Sequence, residues 1–201
     1  MKTALTVINT FLDQESAGAA AQSLARLVVV DQRVEIVEEA PPPPYTTADL
    51  LEEAILRLGW DAAQVMQVAQ RLFEGIILDG AHTGLITYHR TDSIRIVPEA
   101  AAQARAVIAE MFGPQALPAQ GSSPSSTWWK RFPWPSRLAA PEEHAHEAIR
   151  PTHPGRTPEQ LVPHLDEQSL ALYRLIWERF LASQMRPARY RQVTVELEAA
   201  A

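Results

Sequence analysis

A tyrosine, an arginine and three small polar residues crowd into one short run of this chain: residues 84–93 read GLITYHRTDS, with Tyr88, Arg90, Thr91, Asp92 and Ser93. A phenol titrates near ~10 in water, so at neutral pH it attacks an electrophile only where neighbours favour charge on its oxygen or accept its proton. Arg90 can meet the first condition. If residues 85–88 form a strand that runs on for two residues, alternation of side chains puts Tyr88 and Arg90 on one face. A planar guanidinium there can hold two phosphate oxygens at once and stabilise the charge that builds on them. Thr91, Asp92 and Ser93 are turn formers whose side chains bond nearby backbone. His89 falls on the opposite face and reads as a packing residue, not a general base. A tyrosine followed two residues later by arginine is by itself no more than an exposed strand end.

A second polar cluster lies downstream, in residues 145–152, AHEAIRPT. Histidine titrates near ~6.5, so His146 can donate to a phosphate and gain charge when one binds. A metal site built from His144, His146, Glu147 and His153 is the competing reading. It is disfavoured because no cysteine accompanies them, the spacing fits no standard zinc pattern and Pro151 and Pro154 break the segment. Arg150 has two readings, a phosphate contact or a carboxylate partner.

The elements that must carry these groups are helical for the most part. Thr46 or Thr47 can cap a helix with Leu50, Leu51, Ala54, Ile55 and Leu58 on one apolar face, ended by Gly59. Asp61 can cap a second, with Val65, Met66, Ala69, Leu72 and Phe73 at helical spacing, closed by Gly75. These are core stripes. A helix over 98–112 followed by Gly113 packs behind the tyrosine turn. The run 170–190 gives a long amphipathic helix with Leu172, Leu175, Ile176, Leu181 and Met185 along a wide stripe, joined by Trp177 and Phe180 and stopped by Pro187. Residues 190–197 alternate as a half-buried strand does, with Val193, Val195 and Leu197 opposite Thr194 and Glu196. Near the start come an apolar stretch over 4–12, a helix over 17–27, a strand around 34–37 and a stiff proline spacer at 41–44.

Four segments together resemble the type IA DNA topoisomerases. Residues 84–93 are similar to that family's GLITYMRTDS, with His89 in place of methionine. Residues 41–75 are similar to its PPPPFTTSTLQQEA, RLGF and TMQIAQQLYEG elements, 145–152 to DAHEAIRPT, and 170–190 to LYRLIWKRFLASQMAPARY. The departures are Gln64 and Val65 where the family often has basic and hydroxyl residues, Leu51 and Glu52 for a glutamine pair, and His144 for an aspartate. The resemblance implies that Tyr88 is the nucleophile that joins a 5′ phosphate of DNA, with Arg90 as its catalytic companion. It implies DNA contacts for His146 and extends them to Arg150, Thr91 and Ser93. The expected fold class is α+β, mainly α: a helical nucleophile domain over 46–187, a short strand leading to the tyrosine, and a partial β-rich arch from 1–45 and 188–201. The chain is then expected to be a central fragment, with Mg²⁺ held by acidic residues of a TOPRIM domain elsewhere and no cofactor in the chain itself. The expected partners are single-stranded DNA and the remaining topoisomerase domains, whether linked or separately encoded. His89 and the tryptophan-rich stretch leave a reverse gyrase module open as a subfamily. Outside the family, a non-catalytic single-strand-binding module and a helical adaptor are the other readings.

Composition sets the bounds. The 201 residues are 46% hydrophobic, carry a formal charge of −6 and include no cysteine. That length and content can bury a core, and the cysteine count removes disulfides, cysteine–zinc sites and thiol catalysis. No apolar run reaches membrane length and no secretion signal is legible, so no membrane partner and a cytoplasmic, nucleoid-associated location are expected. Net acidity disfavours a protein that coats nucleic acid, so DNA contact must be local. One basic aromatic patch stands out between 114 and 140, where Trp128, Trp129, Lys130 and Arg131 lie in a stretch with no Asp or Glu. It suits stacking on unpaired bases, or anchorage of a long loop on the core. No Asp-x-Asp pair occurs in the chain, and its acidic pairs suit helix surfaces better than a divalent-ion cage.

Overall fold

The computed structural model describes residues 27–78, 80–118 and 146–199. They fall into two compact units, one within Ala40–Pro187 and one from the segments on either side of it.

The flanking unit is an antiparallel ribbon of β1 (Leu27–Glu39) and β4 (Ala188–Ala199), paired from Leu27 with Ala199 to Glu39 with Ala188, with an irregularity between Val29 and Asp31. Both strands outrun the alternating stretches in the sequence. Half-burial is not what they show: Val29, Val34, Ile36, Tyr190 and Val193 are all exposed. Two strands satisfy one another's backbone, but a ribbon with no layer against either face among the described residues leaves its side chains exposed there. The apolar stretch over 4–12 and nearly all of the helix expected over 17–27 lie outside the described residues.

The central unit holds five helices among its described residues: α1 (Thr47–Leu58), α2 (Ala62–Glu74), α3 (Pro98–Phe112), the short α4 (Pro158–Leu161) and α5 (Glu167–Ser183). A small hairpin, β2 (Ile76–Leu78) with β3 (Ala81–Thr83), follows α2. Each helix starts or stops where its sequence demands. Thr46 caps α1 in a reciprocal capping box with Asp49, and Gly59 ends it in the left-handed region at φ 71°. Asp61 caps α2 by accepting from the Gln64 N–H. Pro98 opens α3, and Asp166 caps α5.

The core is one cluster across these helices. Leu50 and Ala54 of α1, Val65, Val68, Ala69 and Leu72 of α2, and Ala100, Ala104 and Ile108 of α3 meet Leu172, Tyr173, Ile176, Phe180 and Leu181 of α5. Burying each of the larger side chains stabilises the fold by about 1.5–3 kcal/mol. Three members of the expected stripes escape it: Ile55 and Phe73, both exposed, and half-buried Met66.

Candidate active site

The segments that carry the chemistry are joined by backbone, not by a regular sheet. Tyr45 pairs with Ile149 and Ile86 with Pro151 in isolated antiparallel bridges, so residues 146–152 run between the other two. The Ile149 N–H donates to the Tyr45 carbonyl (2.8 Å), the Thr87 N–H to that of Arg150 (2.9 Å) and the Thr152 N–H to that of Leu85 (3.0 Å). Threonine hydroxyls finish the seam. Thr87 donates to the Ala148 carbonyl (2.7 Å) and accepts from the Arg150 N–H (3.0 Å), and Thr152 donates to the Gly84 carbonyl (2.7 Å).

The strand expected at 85–88 therefore does not form. Its pairing stops at the single Ile86 bridge, and the chain bends at Thr87, His89 and Arg90. Thr47 accounts for the bend. Its hydroxyl donates to the His89 carbonyl (2.8 Å) and accepts from the Thr91 N–H (2.8 Å), while its own N–H donates to the Thr91 carbonyl (2.8 Å). Gly84 allows the run to start close beside α2, because a Cβ there would sit 2.7 Å from the Phe73 carbonyl oxygen.

Tyr88 emerges half-buried from this frame. Its ring meets Phe73 edge-on at 5.4 Å between centroids, His89 at 5.6 Å and His146 at 4.9 Å. Tyr88 and His146, 58 positions apart by number, thus share one site, and both are open to solvent to some degree. Arg90 is exposed, and because the strand does not form, alternation does not set it on the face of Tyr88; its charge is felt at His89. His89 is the opposite case, at 1% exposure with neither ring nitrogen hydrogen-bonded. Burial first, then the nearby Arg90 charge, holds its imidazole below the usual histidine range.

The remaining candidates divide. Thr91 and Ser93 are buried, and their hydroxyls accept the N–H groups of Ser93 (3.0 Å) and Arg95 (3.1 Å), so they shape the turn. Arg150 is 8% exposed; it donates to Glu147 (2.8 Å) and to the Pro151 carbonyl (2.9 Å), the carboxylate-pairing alternative of its two readings. Trp128, Trp129, Lys130 and Arg131 lie outside the described residues, as does His144. Among the described residues no three His, Cys, Asp or Glu groups are placed to hold a metal ion, and no helix is long and apolar enough to cross a membrane.

Sequence reasoning missed Phe73, Thr47 and Thr87. Helical spacing puts Phe73 in the core stripe of its helix, and only its position next to Glu74 at the helix end marks it as peripheral. The two threonines carry no local signal, since their partners lie more than 40 positions away.

Residues 3–201 match a family model described as DNA topoisomerase. DNA topoisomerase 1 of Thermotoga maritima is 39% identical over 171 residues, covering 85% of this chain and 25% of that protein. DNA topoisomerase 1 of Treponema pallidum is 45% identical over 161 residues, 79% of this chain and 20% of that protein. The solved structure of full-length topoisomerase I from Thermotoga maritima superposes with a TM-score of 0.72 at 35% identity, covering 98% of this chain and 30% of that one. The chain thus spans a quarter or less of the length of these two curated relatives. With the Tyr88 segment and its two partner segments all inside the matched region, this chain belongs to the type IA DNA topoisomerases.

Proposed function

We propose that Tyr88 is the nucleophile of a DNA strand cleavage: its phenolic oxygen attacks a backbone phosphorus, the 3′ oxygen leaves, and the enzyme holds the 5′ phosphate as a phosphotyrosyl ester. The ester keeps the energy of the broken linkage, so the 3′ hydroxyl can reverse the step without ATP. One observation carries this reading. The Tyr88 ring is gathered with His146 at 4.9 Å in a half-open position, two residues before exposed Arg90, on a loop tied at both ends.

The roles of the chain's own residues follow from that placement. Arg90, with no ion pair of its own among the described residues, is available to the phosphate oxygens, and the His146 imidazole is available to donate to the DNA backbone. Phe73 sets the tyrosine ring by its edge contact. Arg150 and Glu147 brace the segment that carries His146.

Among the described residues nothing suits Mg²⁺. With no Asp-x-Asp in the sequence and no acidic convergence among the described residues, the ion would be held by other parts of a whole enzyme, and it would supply charge neutralisation at the phosphate. The 201 residues alone are therefore expected to bind single-stranded DNA at low salt and to leave a supercoiled plasmid unrelaxed. Efficient relaxation by the purified chain contradicts the division of labour proposed here. No detectable binding of a single strand contradicts the assignment of the site itself, as a purely structural adaptor requires.

A further inference from the structure

The proposed cleavage leaves His89 without a task, although this side chain is sealed against the nucleophile itself. It is 1% exposed, and neither Nδ1 nor Nε2 has a hydrogen-bond partner. A buried polar atom left unpaired destabilises the fold, and methionine would fill similar space with no polar atom to satisfy. The chain keeps an imidazole where an apolar side chain would pack at least as well.

Its contacts couple it to Tyr88. Because the chain bends at Thr87, His89 and Arg90, the Tyr88 and His89 rings both meet Phe73 of α2, at 5.4 and 6.0 Å between centroids, and they meet each other at 5.6 Å. The Tyr88 ring meets His146 in turn, at 4.9 Å. The backbone beneath is tied, since the Thr47 hydroxyl of α1 donates to the His89 carbonyl (2.8 Å). Ring positions can yield while that tie holds.

A neutral imidazole tolerates this packing. An imidazolium brings two N–H donors and a charge, and neither nitrogen has an acceptor in place. Burial most of all, then the Arg90 charge, opposes protonation of His89, and the Glu74 carboxylate at the end of α2 favours it. From α1 it meets the Thr47 hydroxyl, at its carbonyl, and His146 stands against the Tyr88 ring. Glu74 is exposed, so an imidazolium gains a counter-charge and water only by moving outward.

We propose that His89 is a positioning residue for Tyr88: the neutral imidazole, packed with Phe73 against the phenol ring, holds that ring beside His146, and a proton taken up by His89 draws the imidazole out toward Glu74 and unseats Tyr88. The site is thereby closed in acid by a group that does not itself reach the substrate. This role rests on the assignment of Tyr88 as the nucleophile.

Two readouts test the role and keep it apart from that assignment. In the 201-residue chain, proton NMR between pH 7.5 and 5 is expected to show the cross-peak between the Tyr88 and His146 rings fading with the His89 midpoint. Glu74→Gln is expected to move both events to lower pH together, because it removes the charge that favours protonation. In a whole topoisomerase chain carrying these residues, the rate of covalent capture of a single-stranded oligothymidylate is expected to fall across the same range several-fold more in the wild type than in His89→Met. His146 is common to both proteins, so its own contribution cancels. His89→Gln, polar but without a titrating group, is expected to match His89→Met and covers the case in which the methionine variant folds poorly. A cross-peak that ignores the His89 titration, or equal acid losses in the wild type and both variants, overturns the positioning role and leaves the nucleophile standing. An adduct mapped to a residue other than Tyr88 overturns both.

Discussion

Two tyrosines stand at opposite ends of the same seam, and their surroundings could hardly differ more. Tyr45 is 0% exposed, with its hydroxyl buried and its ring beneath the Arg179 guanidinium at 4.8 Å. Arg179 is itself tied to the Pro43 carbonyl (2.6 Å) and to Glu53 (3.1 Å). Burial, then the Glu53 carboxylate, pushes the Tyr45 phenol far above its ordinary range. Tyr88 follows the segment on the other side of the seam, half-buried among Phe73, His89 and His146. Both phenols follow from one backbone pattern, yet a sealed one resists ionisation and serves packing, while an open one can reach a substrate. What separates structure from chemistry here is how far the core closes over each ring.

Truncation breaks that comparison most sharply. Tyr45→Ala is expected to cost about 3–5 kcal/mol, because a cavity opens in a packed site, whereas Tyr88→Ala should cost about 1 kcal/mol or less. Urea midpoints of the two variants measure the difference, and equal losses would mean that Tyr88 is core. Tyr45→Phe is expected to be close to neutral, since its buried hydroxyl makes no hydrogen bond of ordinary length and keeps only a weak interaction with the Glu53 carboxylate, itself paired with Arg179.

The joint between the two ends comes next. Thr47→Val keeps the shape of the side chain but leaves the His89 carbonyl and the Thr91 N–H without their hydroxyl partner. The expected loss is about 2 kcal/mol, with Thr47→Ser restoring most of it. DNA capture should fall along with stability, because the loop that presents Tyr88 loses its tie.

The smallest effect is a titration. His89 is held neutral by burial, so the unfolded chain binds a proton more readily than the folded one below about pH 6.5. Its share of stability is complete above that pH and is lost as pH falls toward the lowered folded value. His89→Met should flatten the acid side of the stability curve, read from urea midpoints between pH 7.5 and 5. His153 is shifted in the same direction, so part of the slope will survive.

Much of this was legible in the residues, and the failures share a cause. Helix ends follow from local chemistry, so Thr46, Gly59, Asp61 and Gly75 marked α1 and α2, and α3 begins at Pro98 and ends before Gly113 as read. Two of the three site segments were recognisable as carriers of Tyr88 and His146. Their union with a third through Tyr45 was not, because each bridge joins residues far apart in sequence that share no periodicity. The strand drawn through 85–88 failed for the same reason, since alternation in four residues says nothing of a distant hydroxyl that bends the next three. Phe73 and Ile55 were misplaced because helical spacing gives a face and not the extent to which neighbours cover it.

The most direct test is to place this region in a whole topoisomerase chain, trap its product with a single-stranded oligonucleotide in denaturing detergent and map the modified peptide by mass spectrometry. The account predicts one adduct, a 5′-phosphotyrosyl ester at Tyr88, absent from the Tyr88→Phe variant, which still binds the oligonucleotide. An adduct on any other residue, or one that persists in Tyr88→Phe, contradicts it.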